Sequence, residues 1–136
     1  MPFVLDASVA LTWHFEDETS EYAERVLDKL ETDEAIVPAL WPLEMANGLI
    51  IGERRGRLSP AKLARAVELS LDLPVSVDET PTPLALGSVL DLARSQGLSA
   101  YDAAYLELAM RQGIPLATQD EGLRAAAERV GVPLAE

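Results

Sequence analysis

Cysteine is absent from the 136 residues, and histidine occurs once, at position 14. The first absence excludes a disulfide framework, a thiolate zinc site and a cysteine nucleophile. Together they exclude a His/Cys zinc cluster. No run of about eighteen or more apolar residues occurs, so no membrane span is expected. The opening residues, MPFVLDASV, lack a basic segment and meet an acid at position 6, unlike a secretory signal. A cytoplasmic protein is the expectation. There is no G-x-x-x-x-G-K-[ST] phosphate loop. Repeats, low-complexity segments and dividing linkers are missing too, so one domain over 1–136 is expected, with 49% apolar residues to fill its core. Bases are scarce: 11 Lys and Arg face 23 acids, a formal net charge of −12. Affinity for nucleic acid comes mostly from bases that neutralise phosphates, so this balance suits a cation or a basic protein better.

What is present is an alternation of short apolar runs and longer amphipathic ones. PFVL (2–5), AIVP (35–38), PVSV (74–77) and IPLAT (114–118) read as strands, and VPL (132–134) as a short edge strand. SEYAERVLDKL (20–30) has apolar residues at helical spacing. LEMANGLIIGERRG (43–56) predicts a helix with Pro42 near its first position. SPAKLARAVELSLDL (59–73) starts on Ser59 as N-cap and Pro60 at N1. Further helices are predicted over 82–97, over 101–112 with Gly113 just beyond, and over 121–131. Such alternation implies a central, mainly parallel sheet of four to five strands covered on both faces. Ligands of such sheets bind outside the carboxyl ends of the strands.

Four carboxylates are candidates for that edge, two of them placed there by topology. Asp6 follows the first strand and Asp120 the fourth, Glu44 lies in the first turn of the helix after the second, and Asp102 opens the apolar stretch SAYDAAYLELA. Each has a plain structural role open to it. Asp102 stands three residues after Ser99, as in a capping box, and Thr118 and Glu121 offer a second such match. Asp6 and Asp120 suit N-caps, and Glu44 suits the positive end of a helix macrodipole. Brought together, however, the four cannot all stay ionised without a cation. Hard oxygen donors favour Mg²⁺ or Mn²⁺, which activate water and offset charge on a phosphodiester.

VLDASV, LEMANGL, SAYDAAYLELA and LATQDEGLRAAA, in this order over nearly the whole chain, resemble the PIN domain, the metal-dependent ribonuclease fold of VapC-type toxins. The resemblance implies a PIN-like three-layer α/β/α sandwich. It implies Mg²⁺- or Mn²⁺-dependent endonucleolytic cleavage of RNA, a cognate antitoxin that blocks the site, and a homodimer. Asp6, Glu44, Asp102 and Asp120 match the family's acidic quartet. The three aspartates would be direct or water-mediated metal ligands, and Glu44 would hold metal-bound water or a second cation. Ser8 and Thr118 match the small hydroxyl residues that orient ligands or water.

Other readings part from this one at named positions. A haloacid-dehalogenase-like phosphatase needs a second Asp two residues after the first, where this chain has Ser8. A response-regulator receiver needs a Lys after a late strand, and IPLATQDEGLR has none. A PIN-like module that only binds a partner has no use for an intact acidic quartet. The bases of ERRGRLSPAKLAR (53–65) suit either a phosphate backbone or a solvated helical hairpin. Glu16, Asp17 and Glu18 read as a solvated acidic turn, His14 as a surface or packing residue or a general base, and Trp13 and Trp41 as packing or base-stacking residues. Greasy early-helix residues such as Leu49, Ile50 and Ile51 point to a surface packed by a second copy or an antitoxin.

Overall fold

The first and last strand-forming runs lead into aspartates, Asp6 and Asp120, that cap the next helix. The computed structural model describes residues 1–136. In chain order they form β1 (Phe3–Leu5), α1 (Ala7–Thr12), a 3₁₀ turn (Glu16–Glu18), α2 (Glu21–Lys29), β2 (Ala35–Pro38), α3 (Trp41–Arg54), α4 (Pro60–Asp72) and β3 (Val75–Asp78). Then come α5 (Thr82–Leu84), a π-helical turn (Ala85–Val89), α6 (Leu90–Gln96), α7 (Ala100–Gln112), β4 (Leu116–Ala117) and α8 (Glu121–Val130). Asp6, Ser20, Ser59, Ser99 and Asp120 each accept a backbone N–H at the start of α1, α2, α4, α7 and α8. Those bonds satisfy donors that a helix start leaves free. At the other end, Gly97 and Gly113 adopt φ of +67° and +66°, which closes α6 and α7 where a side chain would be strained.

The four strands are parallel, in the order β3-β2-β1-β4. β1 is central, and Phe3, Val4 and Leu5 are at most 1% exposed, so both sheet faces are covered. The result is the three-layer α/β/α arrangement expected from the alternation. α7 packs against β1 and β2 and buries every residue from Ala103 to Ala109. Val4 and Leu5 pair with Leu116 and Ala117. Asp6 and the segment Thr118–Asp120 therefore leave the sheet side by side at its carboxyl edge.

Four expectations shift. The short helix α1 was not among the predicted elements. Its six residues, ASVALT, span less than two turns and show no clear amphipathic repeat. β4 keeps only two residues of the predicted 114–118: Ile114 gives its N–H to the Ala109 carbonyl, Pro115 has none to give, and Thr118 turns its hydroxyl to Asp6 as the chain leaves the ladder. The edge strand at 132–134 is reduced to one bridge, Leu116 to Leu134, since Pro133 has no N–H to extend it. The helix predicted over 82–97 is present as a continuous rod, but a π turn around Gly87 interrupts its α geometry.

Candidate active site

Asp6 is the most constrained of the acids. It is 6% exposed, follows β1 directly and accepts three hydrogen bonds. Its Oδ1 takes the Ser8 N–H at 3.2 Å, and its Oδ2 takes the hydroxyls of Ser8 at 2.7 Å and Thr118 at 2.8 Å. Thr118 is wholly buried behind it, and its Oγ1 also accepts the Asp120 N–H at 3.1 Å. Thr118 is therefore not the N-cap of the last helix. Asp120 is, with its Oδ2 on the Leu123 N–H at 2.8 Å, so the Thr118–Glu121 box does not form. The Thr118 carbonyl in turn accepts Arg124 Nε at 2.7 Å, and that guanidinium stacks over Tyr22. One hydroxyl thus ties Asp6 to the backbone that carries Asp120.

Asp102 lies in the first turn of α7. Ser99 Oγ accepts the Asp102 N–H at 3.1 Å, which is half of a capping box. The return bond, from the Ser99 N–H to the Asp102 carboxylate, is not made. The Asp102 side chain instead borders a cleft of about 300 Å³ whose walls are Asp6, Ala7, Ser8, Leu11, Glu44, Asn47, Gly48, Asp102 and Asp120. All four predicted acids and Ser8 meet there, while Thr118 stands behind Asp6. No lysine, arginine or histidine is among the walls.

Crowding of like charges leaves its mark. Burial, with Asp6 and Asp120 adding, pushes the Asp102 carboxyl up. Glu44 is also pushed up, by burial first, and Asp6 and Asp102 add to it. A hydrogen bond from Tyr105 works against that rise. The Tyr105 hydroxyl donates to Glu44 Oε1 at 2.6 Å and accepts the Ala7 N–H at 3.3 Å. Burial and the Glu44 carboxylate push the Tyr105 phenol up, so it stays protonated. As the side chains stand, no three acids or histidines are drawn round one point closely enough to enclose a metal ion. The donor set nonetheless suits a hard divalent cation: four carboxylates with excess negative charge and no base to offset it. Asp6, Asp102, Asp120 and Glu44 are the side chains able to hold one.

Sequence reasoning passed over Tyr105, Asn47 and Gly48. Helical spacing was the available signal, since Tyr105 lies three residues after Asp102, and Asn47 and Gly48 lie three and four after Glu44. A Cβ on Gly48 would stand 2.5 Å from Leu11 Cδ1, so this glycine lets α3 approach α1 closely at the cleft wall.

The remaining candidates lie elsewhere. His14 does not line the cleft; it is half-buried, 3.3 Å from the Ser70 hydroxyl, and burial pushes its pKa down. Trp41 is buried in the core, and Trp13 packs against that core with Nε1 donating to the Ala23 carbonyl, so both are packing residues. Within the 53–65 run, Arg57 pairs with Asp17 and Glu18 and stacks on Phe15, Lys62 pairs with Glu16, and Arg65 pairs with Glu68. The acidic turn therefore neutralises much of that run; Arg54 and Arg55 have no ion pair.

The PIN domain family matches residues 3–129 of this chain. Over 123 residues the chain is 30% identical to a Pyrobaculum aerophilum protein named Ribonuclease VapC3, which spans 90% of this chain and 92% of that relative. A crystal structure of the protein PAE2754, also from Pyrobaculum aerophilum, superposes with a TM-score of 0.69 at 28% identity, covering 93% of this chain and 79% of that one. VapBC2 from Rickettsia felis, solved bound to a DNA fragment from their promoter, contains a chain with the same fold. Its TM-score is 0.66 at 11% identity, over 99% of this chain and 98% of that one.

Proposed function

This chain belongs to the PIN-domain family, and from that premise we propose that it is a Mg²⁺- or Mn²⁺-dependent endoribonuclease, the toxin of a VapBC-type toxin–antitoxin pair. The observation that carries the reading is the cleft, where four carboxylates converge with no basic side chain in the walls. The named ribonuclease that is 30% identical supports RNA as substrate.

In this reading Asp6, Asp102 and Asp120 would hold the ion, directly or through water, and Glu44 would hold metal-bound water or a second cation. A bound divalent ion would lower the pKa of a water and offset charge on the scissile phosphodiester. Ser8 and Thr118 fix the Asp6 carboxylate by donating to its Oδ2, which leaves Oδ1 with a single backbone partner. Asp120 caps α8 through Oδ2, which would leave its Oδ1 for the cleft. Asn47 offers an amide to the substrate or its water. The reading extends to a cognate antitoxin that covers the cleft, to a homodimer and to the cytoplasm. The shared fold of a VapBC2 chain supports the antitoxin. No helix is long and apolar enough to cross a membrane.

The test is incubation of purified protein with structured RNAs plus Mg²⁺, Mn²⁺ or EDTA, alongside Asp6→Asn and Asp102→Asn. Defined fragments should form with metal only and vanish in both variants. Equal background in all three proteins, with no metal binding by calorimetry, would reduce the acids to helix caps.

A further inference from the structure

Tyr105 looks at first like core filling. Its ring is wholly buried among the apolar residues around β1. Its hydroxyl breaks that pattern, because α7, α3 and α1 meet at this one oxygen. It donates to Glu44 Oε1 at 2.6 Å and accepts the N–H of Ala7, the first residue of the helix that Asp6 caps.

Glu44 has reason to leave. It is a long side chain at the rim of the cleft, and Asp6 and Asp102 repel it. It has no ion pair, its Oε2 accepts no hydrogen bond, and its only side-chain anchor is the phenol. We propose that Tyr105 is a positioning residue of the active site. Its hydroxyl pins Glu44 Oε1 against the amino end of α1 and leaves Oε2 as the oxygen available to the cleft. This rests on the metal-dependent reading above and deepens it. A carboxylate held in place before the ion arrives need not be ordered on binding, which favours both affinity and rate. The same bond couples Asp102 to Glu44, since Tyr105 is one turn along α7 from Asp102.

The test is Tyr105→Phe, which keeps the ring and removes the hydroxyl. Loss of such a supporting bond weakens metal affinity or activity by about 10–100-fold in comparable sites. The expected result is a fall of that order in kcat and in calorimetric Mn²⁺ affinity, with KM for RNA changed less than about twofold. In a Glu44→Gln background the same substitution should add almost nothing. A folded Tyr105→Phe protein with wild-type kinetics and Mn²⁺ affinity would overturn the proposal. If the wild type neither cleaves RNA nor binds Mn²⁺, the nuclease reading falls, and crystal structures of both proteins decide the pinning. Glu44 released in the variant supports it, and Glu44 unmoved overturns it. Should Tyr105→Phe fail to fold, NMR of the wild type decides. A low-field, slowly exchanging Tyr105 hydroxyl proton that moves upfield in Glu44→Gln supports the bond, and absence of that resonance overturns it.

Discussion

Thr118→Val separates two jobs that a buried threonine can do, because valine keeps the shape and loses the hydroxyl. The structure gives that hydroxyl two bonds, one to Asp6 Oδ2 at 2.8 Å and one from the Asp120 N–H at 3.1 Å. The first is charge-assisted and wholly buried, a type whose loss costs about 1.5–3 kcal/mol. Asp6 Oδ2 keeps Ser8, so the lower half of that range applies to this bond. The second leaves a partly buried N–H without an acceptor, for about 1 kcal/mol more. The added methyl of valine returns about 0.8 kcal/mol of apolar burial at most. The net loss is about 2–3 kcal/mol. Unfolding entropy near 2.1 cal/mol/K per residue makes that about 7–10 °C in Tm for a chain of 136 residues. Thr118→Ser keeps both bonds and loses only a methyl, so it should fall by about 3 °C. Thermal unfolding by circular dichroism with EDTA measures this, and calorimetry with Mn²⁺ measures whether Asp6 has lost its orientation. A valine variant as stable as the wild type, with the same Mn²⁺ affinity, would refute the view that this hydroxyl organises the acids.

Two further outcomes follow from the same cleft. Asp102 and Glu44 are held above their ordinary values, so the folded, metal-free protein binds more protons than the unfolded chain between the ordinary and raised pKa values. Their contribution to stability is present at low pH and is lost as pH rises through that window. Asp17 and Asp33, held low by Arg57 and the N-terminal ammonium, run the other way, so the difference between proteins is the useful readout. The Tm advantage of Asp102→Asn over the wild type in EDTA should grow from pH 4 towards neutrality, and saturating Mn²⁺ should abolish it; an advantage that is flat with pH contradicts the crowding argument. Ser99→Ala removes the α7 N-cap and should cost about 1 kcal/mol, read as a lower denaturant midpoint, while Mn²⁺ affinity stays within about twofold. A large loss of metal affinity there would mean that the cap, rather than the fold around it, sets Asp102.

Much of this was legible in the chain because parallel α/β order places residues by topology. A strand followed at once by an acid, as in VLDAS, puts that acid at the carboxyl edge whatever the neighbours are, and Asp6 is there. The placement of Asp102 followed from its apolar flanks, and the unmade half of its capping box shows why that signal was informative. Tyr105 was illegible for the opposite reason. A tyrosine inside LELA-like sequence has the pattern of core, and only the position of its hydroxyl gives it a second role. Within 53–65, the pairing of Arg57 and Lys62 was hidden because their acids, Glu16 to Glu18, lie about forty residues or more earlier, a separation that no local pattern reveals. β4 shrank to two residues because Ile114 bonds back to α7, Pro115 has no N–H and Thr118 turns to Asp6, none of which β-propensity registers.

The strand order has a consequence in time. β1 is made first and β4 last among the strands, yet they are neighbours, and Asp6 meets Thr118 across 112 residues. Chains lengthen by about 5–20 residues per second during synthesis. For several seconds a nascent chain therefore carries Asp6 and Glu44 but not the threonine that orients the one, the tyrosine that pins the other, or Asp120. A chain cut short before Asp120 lacks one wall of the cleft altogether. Under the nuclease reading, such a topology would complete the acidic cleft only when translation is nearly done.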